Sequence, residues 1–176
     1  NIREADAIAQ VVRGFADSDV IHVDGKVDAG GDIETINTEL ILADMQTLEK
    51  ARPRLEKEVK GKKADPLVLV VIDEALACLN AGTPLSLSSI DLEPIRELGL
   101  LTAKPILFVF NVDEEVLGDP ARLQELANLV KPAEAVFLDA KVESELIDLS
   151  PEEANELLAS LGQNESGLDQ LARIGF

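Results

Sequence analysis

One cysteine, one histidine and 16 basic residues are all this 176-residue chain has of those types, and each scarcity narrows what it can be. A lone Cys78 cannot close an intramolecular disulfide, which fits a reducing compartment. It sits in the apolar helical stretch 75–79, the setting of a buried structural thiol rather than a reactive one. Against 34 Asp and Glu, the few Lys and Arg leave a net charge of −18. Such a surface repels phosphate backbones unless a local basic patch overrides it, and no sequence-specific DNA binding is expected. The basic cluster worth naming is Lys57, Lys60, Lys62 and Lys63, interrupted by Glu56 and Glu58; it reads either as an RNA contact or as a solvated helix end. No apolar run reaches membrane-spanning length and no signal peptide is evident, so a cytoplasmic location is expected. The first residue is Asn1 rather than Met, so the chain is expected to be a piece of a longer protein.

What is present suffices for a core. Apolar residues make up 46% of the chain without an extended low-complexity tract, enough for one globular domain with a subdomain attached. Residues 7–13 read as a buried strand after a short helical piece, and 19–27 as a polar loop carrying His22. From Asp32, a plausible cap, Ile33, Ile36, Leu40, Ala43, Leu48, Ala51, Leu55 and Val59 keep helical spacing, with Pro53 expected to bend the helix or mark a join. A turn at 61–66 precedes residues 67–80. The run 67–72 could alone pass for a buried strand, but Asp73-Glu74-Ala75-Leu76-Ala77 favours a helix closed by Ala81-Gly82. The two helices then form an antiparallel hairpin, each giving the other its apolar stripe.

Beyond a Pro- and Ser-containing linker, the pattern predicts a short helix at 92–98 and a strand at 105–110. That strand is apolar throughout, as expected of a parallel strand covered on both faces. A crossover helix at 121–130, a strand at 135–138, a helix or turn at 141–146 and a last short helix at 167–174 follow. Residues 151–160 form a helix with Ser150 as N-cap and Pro151 at its first position. The fold class is therefore α/β: a parallel sheet with helices around it and a helical hairpin inserted between two strands.

The strand at 105–110 delivers Asn111 and, three residues later, Glu114 at its C-terminal mouth, where open α/β sheets bind nucleotides. An Asn amide both donates and accepts, so it can read a purine edge or tie loops together. Taken alone, the segment reads better as a strand ending in a polar turn.

Along its length the chain resembles one family. Asn1-Ile2-Arg3-Glu4-Ala5-Asp6, Val11-Val12-Arg13, Ile21-His22-Val23 and Gly25-Lys26-Val27-Asp28 carry the resemblance first. The stretch from Asp32 to Leu40, Leu100-Leu101-Thr102-Ala103-Lys104-Pro105, Asn111-Val112-Asp113-Glu114, residues 140–146 and Gly167-Leu168-Asp169 continue it in order. These segments look like the YchF group of Obg-like ATPases. The resemblance implies the later half of a P-loop NTPase nucleotide domain in residues 1–32 and 84–176, with a coiled-coil-like hairpin in 33–83. It implies ATP hydrolysis, GTP as a second candidate nucleotide, Mg²⁺ as cofactor and the ribosome as partner, with a ubiquitin-like TGS domain beyond this chain.

No G-x-x-x-x-G-K-[ST] stretch occurs in the chain, so the phosphate cradle and the magnesium ligands are expected outside it and the chain alone is expected to be inactive. By resemblance, Asn111, Val112 and Glu114 meet the base, and Glu114 replaces the Asp with which related GTPases accept from guanine. Asp139, Ala140 and Lys141 match the loop that lines the base through its backbone, although the family usually has a small residue where Asp139 stands; the bland alternative is a strand-to-helix turn capped by Asp139. By resemblance too, His22 is the candidate for orienting the attacking water, against a histidine satisfied in a loop. Two classes of function follow: a ribosome-associated ATPase, or a non-catalytic helical interaction module with the sheet as scaffold.

Overall fold

The computed structural model describes residues 2–14 and 28–175; the 19–27 loop and His22 lie outside them. The described residues form two compact units, one of residues 1–8 and 34–105 and the other of 9–33 and 106–176.

The first unit is built on the hairpin. Helix α1, Ala29–Lys60, begins in the second unit and supplies the hairpin's long arm; α2, Leu67–Asn80, returns beside it. Sequence pattern located both arms, but the start of α1 differs. Asp28, not Asp32, caps it: its Oδ1 accepts from the Gly31 amide at 3.1 Å, and Asp32 falls in the first turn, where its charge suits the helix dipole. Pro53 does not end the helix. Proline removes one amide donor, while Leu48, Ala51 and Leu55 around it are buried in the hairpin core. Across the interface Arg52 bridges both oxygens of Asp73 at 2.7 and 3.0 Å, and its guanidinium holds the Asp73 carboxyl below its ordinary range.

Ile72, Ala75 and Leu79 of α2 are fully buried against α1, and each large aliphatic so placed contributes on the order of 1.5–3 kcal/mol. The buried row on α1 is Ile41, Asp44, Leu48, Ala51 and Leu55, one step round from the expected Leu40 and Ala43. Cys78 is half-buried rather than buried, its Sγ 3.4 Å from the Thr83 carbonyl, because it lies at the rim of α2's apolar face. A 3₁₀ turn at Leu85–Leu87 and a 3₁₀ helix at Glu93–Leu98, where a short helix was expected, complete the core. In the hairpin turn Lys62 holds a left-handed φ of 57°, a conformation that costs a residue bearing a Cβ about 1 kcal/mol relative to glycine.

The second unit carries the sheet. Its order is β1 (Ile8–Arg13), β2 (Ile106–Asn111), β3 (Glu134–Leu138). β2 and β3 run parallel, Leu107 beside Glu134 through Asn111 beside Leu138. The Gly14 amide donates to the Asn111 carbonyl at 2.8 Å and that of Ile8 to Pro105 at 2.9 Å, a constant offset that makes β1 parallel as well. β2 is buried on both faces, as its apolar run predicts. β1 is not: Ile8, Gln10 and Val12 are buried, but Val11 is 67% exposed. An outer strand has one face covered, which the short run 7–13 did not reveal. Gln10 spends neither polar atom of its buried side chain on a hydrogen bond.

Helix α3 (Glu114–Leu117), which was not anticipated, and α4 (Pro120–Val130) cross from β2 to β3. Then come α5 (Ala140–Leu146), α6 (Pro151–Ser160) and α7 (Gly167–Gly175). α6 starts on the expected cap, with Ser150 and Glu153 forming a reciprocal capping box. Phe110 stacks on Phe137 at a ring separation of 5.3 Å, fastening β2 to β3 beneath their C-terminal ends.

Candidate functional site

Two adjacent parallel strands end at Asn111 and Leu138, and the two following loops meet there. The Val112 amide donates to the Leu138 carbonyl at 2.8 Å, extending the ladder one step past the strand. Asn111 Oδ1 accepts from the Ala140 amide at 3.1 Å, so one side chain binds the first loop to the second. Its Nδ2 meets no acceptor among the described residues.

Each loop is held by an aspartate cap. Asp113 Oδ1 accepts from the Val116 amide at 2.8 Å and starts α3 at Glu114. Asp139 Oδ1 accepts from the Lys141 and Val142 amides at 2.8 and 3.3 Å and starts α5 at Ala140. The carboxylate of Asp139 is buried and committed to that turn, so any part it plays toward a ligand is to aim the loop. Above the caps, Lys141 Nζ lies 3.8 Å from Glu114 Oε1 and 3.9 Å from Glu145 Oε1. Both Lys141 and Glu114 are well exposed, so this pair is weak and easily opened.

The sequence-predicted residues Asn111, Val112, Glu114, Asp139, Ala140 and Lys141 thus come together at one sheet end. Val112 is fully buried, leaving its backbone as its only route to a ligand. His22 lies outside the described residues. Sequence reasoning missed Asp113, whose signal was an acid one residue before a helical turn, and Gly14, where a Cβ would fall 2.7 Å from Val112 Cγ1. It also missed Glu143, whose buried carboxylate accepts from the Gly167 amide at 2.6 Å and holds α7 against α5.

A concavity of about 290 Å³ lies wholly in the first unit, lined by Asp6, Leu92, Arg96, Gly99 and Lys104 among others. Its lysine is spent on backbone, Lys104 Nζ donating to the Arg3 and Ala5 carbonyls. Among the described residues no group of three or more His, Cys, Asp or Glu is arranged to hold a metal ion. No described helix is long and apolar enough to cross a membrane.

No family model matches the chain. Individual proteins do. It is 40% identical over 185 residues to the ribosome-binding ATPase YchF of Bacillus subtilis, covering all of this chain and 50% of that protein. To the protein of the same name from Haemophilus influenzae it is 40% identical, again over all of this chain and 50% of the other. The Obg-like ATPase 1 of Saccharomyces cerevisiae is 34% identical over 92% of this chain and 45% of its own length. Among solved structures, the Schizosaccharomyces pombe YchF GTPase superposes with a TM-score of 0.81 at 28% identity, over 98% of this chain and 50% of that one. The chain spans about half the length of these relatives.

Proposed function

Because the chain belongs to the YchF and Obg-like ATPase family over its whole length, we propose that it supplies the base-recognition side of a P-loop nucleoside triphosphatase that hydrolyses ATP and associates with the ribosome. In this reading residues 1–32 and 84–176 serve the nucleotide and 33–83 form the inserted hairpin. The protein works in the cytoplasm. The observation that carries the reading is the bond from the Ala140 amide to Asn111 Oδ1. With Oδ1 turned to the Ala140 amide, Asn111 presents its Nδ2 donor to a ligand, which suits N7 of either purine. With the Ala140 amide occupied, a donor that guanine's C6 carbonyl would want is already used, whereas adenine's C6 amine needs an acceptor instead.

The names of the relatives divide between ATPase and GTPase, so the choice of nucleotide is the point to test. Calorimetric titration of the full-length protein should give tighter binding of ATP than of GTP. Asn111→Ala should weaken ATP about 30- to 100-fold, on the order of 2–3 kcal/mol for one lost base contact and one untied loop. Tighter binding of GTP than of ATP would sink the adenine reading.

Magnesium ligands and the phosphate cradle belong outside residues 1–176 in this proposal, since the chain has no P-loop motif. Mg²⁺, when bound with ATP, would neutralise phosphate charge; this chain's part is to hold and orient the base. His22 is proposed to orient the attacking water. His22→Ala should lower kcat about 100-fold with ATP affinity unchanged, and full turnover in a folded variant would remove that role. The missing P-loop also favours a second reading, in which these residues by themselves act as a helical interaction module. Ribosome co-sedimentation with and without ATP separates the two: dependence on ATP supports the ATPase, independence the module.

A further inference from the structure

We infer that the turn of the hairpin is a contact surface for the phosphate backbone of RNA. The choice of RNA rests on the ribosome association proposed above; the surface itself rests on charge and backbone geometry. In a chain with twice as many acids as bases, residues 54–65 reverse the balance, carrying Arg54, Lys57, Lys60, Lys62 and Lys63 against Glu56, Glu58 and Asp65. The structure sets Lys57 and Lys60 in the last turn of α1 and Lys62 and Lys63 in the turn beyond it, all four exposed.

Local structure accounts for only part of this cluster. Lys60 pairs with Glu56 at 2.8 Å, and lysines in a last helical turn suit the dipole. Lys57, Lys62 and Lys63 have no acidic partner within 4 Å among the described residues. The helix end is already closed by backbone, with the Gly61, Lys62 and Lys63 amides donating to the Lys57, Val59 and Glu58 carbonyls, so the side chains of Lys62 and Lys63 are not needed as caps. Lys62 moreover holds the left-handed φ of 57° that glycine or asparagine would take with less strain, so a lysine stands there at a cost to the turn.

Ammonium groups on flexible stems, unpaired and clustered at one end, match a polymer of single negative charges. No aromatic residue lies in 54–70 to stack on bases, so the contact is to backbone and indifferent to sequence. The acidity of the rest of the chain confines that contact to the turn, because repulsion of phosphates is screened only beyond about 8 Å at physiological salt. The hairpin therefore meets RNA tip first.

The test uses the full-length protein, purified ribosomes and a short RNA duplex. Replacing Lys57, Lys60, Lys62 and Lys63 together by Gln should weaken binding to both by at least about tenfold at moderate salt and reduce the slope of log affinity against log salt by about 3. Lys62→Gly is the control for folding: it should melt no lower than the parent and still lose about one unit of slope. Equal ribosome binding and an unchanged slope in the fourfold variant would overturn the inference and leave ribosome association standing. Duplex binding that depends on the lysines, with no binding to ribosomes, would support the surface and remove the ribosome reading. Binding to polyglutamate but not to RNA would overturn the choice of RNA.

Discussion

Gly167→Ala should destabilise the protein by about 3 kcal/mol or more, read as a fall in the urea midpoint at unchanged slope. Gly167 opens α7 where the helix touches the sheet and α5 at once. A Cβ there would overlap Leu138 Cβ and come within 3.0 Å of both Glu143 Oε1 and the Phe137 carbonyl. Two of these neighbours belong to β3, so they cannot swing aside as a surface side chain would. The third, Glu143, is buried and donates nothing: its carboxylate accepts from the Gly167 amide at 2.6 Å and lies 3.4 Å from that of Leu168.

The added methyl therefore forces α7 off β3 and lengthens the bond that satisfies a buried charge, and the second loss adds to the first. Because Glu143 sits on α5, one turn beyond Ala140 and Lys141, the same substitution should loosen the loop that meets Asn111. Glu143→Gln, which keeps one acceptor, should cost less than Gly167→Ala. A variant that melts with the parent would show that α7 does not pack on β3 as described.

How far the sequence foretold this architecture depends on what each residue had to signal. Ser150 and Pro151 announced α6 because an N-cap and a first-turn proline are local signals, needing no knowledge of distant contacts, and the structure adds Glu153 as the other half of a capping box. The run from Ile106 to Phe110 announced a doubly covered strand because nothing in it tolerates water. Gln10 shows the opposite case. It sits on the covered face of β1 with neither polar atom partnered, an arrangement no alternation rule anticipates. The site was legible in part: Asn111 stood out at a strand mouth, but the bond of its side chain to the Ala140 amide joins residues 29 apart. Asp139 departed from the family's small residue, and the structure uses it as a cap. Its two amide partners lie two and three residues on, so the turn chemistry was readable locally while the aiming of the loop was not.

Asp44 was the most informative residue to be passed over. The buried row on α1 is spaced 41, 44, 48, 51 and 55, and the acid occupies one of its core positions. A charge on an apolar stripe needs partners, and the structure supplies them: Oδ1 and Oδ2 accept from the Leu101 and Thr102 amides at 2.8 and 2.7 Å, with Arg3 Nη1 3.6 Å away. The Leu101–Thr102 segment is in turn the anchor for the 3₁₀ turn, the Ser86 amide donating to the Thr102 carbonyl at 2.8 Å. Asp44→Ala should therefore cost about 3–5 kcal/mol, since it strands two buried amides and removes the carboxylate that ties the Leu101–Thr102 segment to α1. Asp44→Asn fills the same volume but turns an NH₂ toward one of those amides, so it should recover only part of the loss. Urea denaturation orders the three: parent above Asn, Asn above Ala. Were Asn to match the parent, the charge would be dispensable and the carboxylate only a spacer; were Ala to match it, the amides of Leu101 and Thr102 would have found other acceptors.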